Sequence, residues 1–162
     1  ATDAFLALLA DLLKDSNKGV RGAAAEAVGG IGSAAATDAF LARLADLLKD
    51  SKRDVRWAAA EAVGGIGSAA ATDAFLARLA DRLRDPDLWV RRAAAEAVGG
   101  IGSAAATDTI LARLADLLQD PDWGVRRAAA EAVGGMMQLG VRVFTARTGI
   151  KVRWAAELAR DP

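Results

Sequence analysis

An all-α fold, a right-handed α-α superhelix of stacked helix pairs, is predicted by three features of this 162-residue sequence. The chain repeats itself every 35 residues, each copy carries apolar residues at helical spacing, and each closes on an alanine-rich run followed by glycines. Thr2-Asp3 recurs as Thr37-Asp38, Thr72-Asp73 and Thr107-Asp108, and Val20 recurs as Val55, Val90 and Val125, each followed by arginine. The copies are placed at residues 1–35, 36–70, 71–105 and 106–135 of one solenoid domain, with a C-terminal helical cap over 136–162.

Taken in order, each copy begins with a Thr-Asp pair whose hydroxyl can accept an orphan amide of a helix start, while the aspartate suits the positive end of the helix dipole. In helix A of the second copy, Phe40, Leu41, Leu44, Leu47 and Leu48 form one apolar stripe and Arg43, Asp46 and Lys49 take the other side. The break comes at Asp50-Ser51, or at Asp85-Pro86 and Asp120-Pro121 in later copies, where proline cannot continue a helix. Asn17, Asp87 and Asp122 are then predicted to cap helix B, and Lys52 departs from that rule. Val90, Ala94, Ala97, Val98 and Ile101 make the buried stripe of helix B, with alanines small enough for neighbouring helices to approach closely. Gly99-Gly100 costs about 1 kcal/mol per glycine in a helix interior and is expected to end or bend the helix beside Ile101-Gly102. The segment from Gly102 to Ala106 is read as a loop. In the cap, Val141, Val143 and Phe144 are expected to shield the last repeat, a short strand over 141–145 being the alternative left open.

Composition excludes more than it selects. Lysine plus arginine number 21 and aspartate plus glutamate number 21, so no net field draws in nucleic acid or an anionic membrane. The absence of cysteine and histidine removes disulfides, thiol nucleophiles, imidazole bases and the commonest zinc ligands. The repeating carboxylates are explained by capping and solvent roles, and Gly64-Gly65 with Gly67 lacks the lysine and strand of a phosphate loop. No catalytic residue, cofactor or metal is therefore expected. No membrane span or signal peptide is visible, so a cytoplasmic protein or a recombinant product is expected, the start at Ala1 suggesting processing or an engineered boundary.

The segment running from Asp85-Pro86-Asp87-Leu88-Trp89-Val90-Arg91-Arg92 through Ala93-Ala94-Ala95-Glu96-Ala97-Val98 to Gly99-Gly100-Ile101-Gly102 resembles HEAT-like repeats of the phycobilisome-lyase type. The match recurs in all four copies. It is also similar to the artificial alpha-helicoidal repeat scaffolds, whose second helices carry diversified positions on the concave surface. The linker Ser68-Ala69-Ala70-Ala71-Thr72-Asp73 is longer than in the designed motif, which leaves a duplicated natural array and a consensus protein both open. The resemblance implies a binding scaffold; the lyase name transfers no activity to an array without cysteine or histidine.

Differences among the copies cluster at the start of helix B: Asn17, Lys18, Gly19 and Gly22; Lys52, Arg53, Asp54 and Trp57; Asp87, Leu88, Trp89 and Arg92; Asp122, Trp123, Gly124 and Arg127. Tryptophan and arginine are common energetic anchors of protein interfaces. Trp57, Leu88, Trp89, Arg92, Trp123, Arg127 and, in the cap, Trp154 are accordingly the candidate partner-binding residues, the partner being an unknown protein. The competing reading packs the tryptophans between repeats and pairs the arginines with glutamates such as Glu96. Arg21, Arg56, Arg91 and Arg126 are assigned to a structural ladder reaching aspartates such as Asp50 and Asp85. A nucleic-acid-binding array using Arg and Trp of the concave face is the alternative function, disfavoured because the chain from Arg82 onward holds 12 basic and 10 acidic residues. Leu8 stands where other copies have Arg43, Arg78 and Arg113, so Phe5 and Leu8 are expected to support self-association through the N-terminal repeat.

Overall fold

Thr37, Thr72 and Thr107 start their helices as the sequence demands: each hydroxyl accepts the amide three residues on, at 3.4 Å from Phe40 N, 3.4 Å from Phe75 N and 3.3 Å from Ile110 N. The computed structural model describes residues 2–137, and these form eight α-helices in four pairs. The A helices are α1 (Thr2–Leu12), α3 (Asp38–Leu47), α5 (Asp73–Arg82) and α7 (Asp108–Leu117). The B helices are α2 (Lys18–Ile31), α4 (Arg53–Ile66), α6 (Leu88–Ile101) and α8 (Trp123–Met137). Asn17 and Asp87 cap α2 and α6 through the amides of Gly19 and Trp89, and Asp122 accepts from Val125 N at 3.0 Å. Lys52 offers no side-chain cap. The whole is an α-α superhelix; the proposed cap over 136–162, including the strand alternative, lies outside the described residues from residue 138 onward.

The first three B helices stop at a glycine with positive φ, 71° at Gly32 and Gly67 and 73° at Gly102, a conformation that a side chain would strain. The expected loop after it is instead a single 3-10 turn, as at Gly67–Ala70, which buries Ala35, Ala70 and Ala105 completely. The helix continues through the preceding glycine pairs and ends at the isoleucine that follows them, beside Ile101-Gly102 in the third copy as the sequence reading placed it. Their reason is lateral. A Cβ on Gly65 would sit 2.6 Å from the Gly29 carbonyl oxygen, and one on Gly29 would sit 2.7 Å from Ala62 Cα. Backbone therefore lies against backbone between successive B helices, and the roughly 1 kcal/mol helix penalty of each glycine is offset by that approach.

Larger residues fill the space between the layers: Leu44, Leu79 and Leu114 from the A helices meet Val63 and Val98 of the B helices in one continuous core. Adjacent A helices touch far less than adjacent B helices, so the stack curves with the B layer inward. The opened outer side leaves a shallow recess between α5 and α7 beside Leu76, Ala80 and Arg113.

The predicted arginine ladder joins consecutive repeats. Arg56 Nε and Nη2 donate to Asp85 Oδ2 and Oδ1 at 2.8 and 3.0 Å, while its Nη1 donates to the Asp50 and Ser51 carbonyls of its own interhelix turn. Arg21 repeats this with Asp50, and Arg91 with Asp120. Arg126 makes the turn half of the pattern, donating to the Asp120 and Pro121 carbonyls. Asp85 also accepts from Arg82 Nη1 at 3.0 Å. Burial alone would raise its carboxyl, but the Arg56 hydrogen bonds, the Asp87 amide and the two guanidinium charges hold it below the usual carboxylate range.

Candidate functional site

The first turns of the B helices place their variable residues side by side on the inner layer. Between α4 and α6 they enclose a groove of about 340 Å³ lined by Arg53, Asp54, Trp57 and Glu61 from one helix and Asp87, Trp89, Arg92 and Glu96 from the other repeat. Trp57 and Glu61 are four apart on α4, hence on one face; Arg92 and Glu96 repeat that spacing on α6, with Trp89 three residues before Arg92. The two tryptophans differ in setting. Trp57 is half-buried and rests on the core, whereas Trp89 is 53% exposed.

The equivalent recess one repeat further, between α6 and α8, has only about 10 Å³. Its composition explains the loss. Gly124 takes the register that Trp89 holds before it, so one wall is missing, and Arg92 occupies the register of Trp57. Arg92 lies along its own helix with Nε 2.8 Å from Glu96 Oε1, and Arg127 does the same to Glu131 at 2.7 Å. Trp123 shares the register of Leu88, and the two diverge: Trp123 is 65% exposed, while Leu88 packs against the core.

Of the sequence-predicted residues, Trp57, Trp89 and Arg92 thus meet in one groove, Trp123 and Arg127 stand beside the closed recess, and Leu88 supports the core edge. Trp154 lies outside the described residues. Glu61, Asp54, Asp87 and Arg53 line the groove without having been singled out; membership in the variable stretch marked three of them, and Glu61 was visible only as one turn beyond Trp57.

Charges in the groove are mostly satisfied internally. Arg53 reaches Asp87 at 3.2 Å and Asp54 at 3.3 Å, and Lys18 of α2 reaches Asp54 at 2.9 Å. Glu61 has no cationic partner among the described residues. Desolvation, then the neighbouring Glu96 and Glu26, raises its carboxyl above the ordinary glutamate value, with Arg92 pulling the other way. Among the described residues no group of three or more metal-ligating side chains converges. No helix there is long and apolar enough to cross a membrane.

At the N-terminal repeat Phe5 is 60% and Leu8 67% exposed, and Leu12 is exposed with them. Phe40, the counterpart of Phe5, is only 2% exposed because another repeat lies before it. The stripe Phe5-Leu8-Leu12 is therefore an exposed apolar face among the described residues, with Leu12 the member that sequence reading passed over.

Comparison with known proteins follows the same lines. The family profile of HEAT repeats matches residues 6–82 and 76–143. No curated protein is similar enough to count as a relative. Among solved structures, the crystal structure of an engineered protein superposes with a TM-score of 0.72 at 28% identity, over 81% of this chain and 62% of that one. A designed armadillo repeat protein in complex with the peptide (KR)4 gives 0.67 at 24% identity, over 78% and 62%. The complex of CpcE and CpcF of phycocyanin lyase from Nostoc gives 0.57 at 21% identity, over 82% and 65%. The chain thus spans less than two thirds of the length of each of these structures.

Proposed function

Because this chain belongs to the HEAT repeat family, we propose that it is a non-catalytic scaffold binding a protein partner through the inner face at the start of its B helices. One observation carries the reading: residues that differ among otherwise near-identical copies converge on a single groove walled by Trp57 and Trp89. Amphipathic aromatics at a recess surrounded by charged groups are the usual anatomy of an interface anchor. The engineered and designed repeat proteins of similar fold support a scaffold role, and one of them, the designed armadillo repeat protein, is in complex with a peptide. Nucleic acid fits the groove less well, since four carboxylates face two guanidiniums there and would repel a phosphate backbone.

The reading is tested by changing Trp57, Trp89 and Trp123 together to alanine and comparing partner capture at matched helicity. Capture should fall to background while the far-ultraviolet circular dichroism stays unchanged. Retention of the partner would remove the inner face from consideration.

A second reading concerns the stripe of Phe5, Leu8 and Leu12. Its exposure favours association with another copy of the chain, as a continuation of the stacking that buries the same registers inside the array. Leu8→Arg restores the residue found at Arg43, Arg78 and Arg113, and it should convert a concentration-dependent oligomer into a monomer by light scattering. A parent protein that is strictly monomeric at millimolar concentration would exclude this association.

A further inference from the structure

We propose that the groove between α4 and α6 is a receptor for one cationic side chain, lysine or arginine, of the partner, held between the Trp57 and Trp89 rings with its charge on Glu61. This deepens the scaffold reading and rests on it.

The inference comes from counting what the groove leaves uncompensated. Four carboxylates and two guanidiniums line it. Arg53 is shared by Asp87 and Asp54, Lys18 adds a second cation to Asp54, and Arg92 is taken by Glu96. Glu61 is the lining carboxylate to which no cation is assigned among the described residues. The groups facing it add to the imbalance: Glu26 on α2 and Glu96 on α6 both repel its charge, and Arg92 offsets them only in part. A positive group arriving there relieves that repulsion.

The walls suit the same visitor. Indole faces attract ammonium and guanidinium groups through the ring quadrupole, tryptophan most strongly of the aromatics. A volume of about 340 Å³ lies at the small end of ligand clefts, enough to admit a long side chain and too little for a folded element. The next recess along the array cannot do this: there Arg127 already occupies Glu131, Arg92 occupies Glu96, and Gly124 supplies no wall. The two tryptophans, the unpaired glutamate and the open volume therefore coincide at one interface of the four-repeat stack.

The probe is the peptide acetyl-(Gly-Ser-Arg)3-amide, followed through the indole N–H signals of the intact chain, assigned by single tryptophan-to-phenylalanine changes. Its control is the same peptide with citrulline, a neutral isostere of arginine. The arginine peptide should shift the Trp57 and Trp89 signals and leave Trp123 in place, and citrulline should weaken binding about tenfold or more. Glu61→Gln, which keeps shape and helix, should weaken it by about the same factor. Binding should also decline on acidification at a higher pH than an ordinary glutamate would require. Equal binding of the two peptides, or unchanged affinity in Glu61→Gln, overturns the proposal. If unrelated peptides selected from a random library shift the Trp57 and Trp89 signals while the arginine peptide does not, the cation preference is wrong and the scaffold reading stands. If no library member shifts them, the groove fails as a binding face and both are overturned.

Discussion

The A and B layers of this solenoid solve the same stacking problem with opposite materials. A helices use leucine and phenylalanine, which hold their neighbours apart and leave an open outer recess; B helices use alanine and glycine, which bring backbones into contact. The difference teaches where recognition can be placed. A layer locked by backbone contact fixes the separation of its surface side chains, so Trp57 and Trp89 line one groove although they come from different repeats.

The sharpest way to break the comparison is at the joint between layers. Asp85→Ala strips a buried carboxylate from Arg56 and Arg82 at once, and it should cost about 3 kcal/mol or more, read as a lower urea midpoint. Acid probes the same joint without mutation. The folded-state pKa of Asp85, and likewise of Asp120, is lowered, so their contribution is complete above the unfolded value near 3.8 and is lost as pH falls through the folded one. Thermal midpoints should accordingly drop steeply below about pH 4, and Asp85→Ala should flatten that drop.

Within the B layer, matched glycines separate helix propensity from packing. Gly65→Ala drives a methyl into the Gly29 carbonyl and should destabilise by about 2 kcal/mol despite the better helix former. At the same register Gly30 has nothing within 4 Å, so Gly30→Ala should stabilise by about 1 kcal/mol. Equal effects at the two positions would mean that the backbones do not approach as described. An effect as small as that of Gly30→Ala, but of opposite sign, belongs to the A layer: Thr72→Ala removes a cap and should cost about 1 kcal/mol in chemical denaturation.

These glycines also mark the limit of reading a single chain. Caps, helix pairs and the Arg56–Asp85 ladder were legible because each is local or recurs at a fixed offset, and Thr37, Asn17 and Asp87 act as their residue types suggest. At Gly99-Gly100 propensity pointed only to a helix end, whereas the lateral constraint, the Gly64 carbonyl oxygen 2.8 Å from where a Cβ on Gly100 would sit, lies 36 residues away on another helix. The groove was half legible. Trp57 and Trp89 were identified from variation, but the depth between them, the half-burial of Trp57 and the isolation of Glu61 depend on how repeats sit against each other, which periodicity alone does not set.

The arginine ladder has one more consequence, and it concerns ancestry and manufacture alike. Arg21, Arg56 and Arg91 each grip their own turn with one nitrogen and the following copy with two others, so these three junctions are chemically interchangeable. A crossover between misaligned copies that adds or removes a multiple of 35 codons would rebuild an intact rung at the splice. Array length is thereby free to change in whole steps with no intermediate that must be repaired, while a gain or loss of any other size would leave a guanidinium facing the wrong residue.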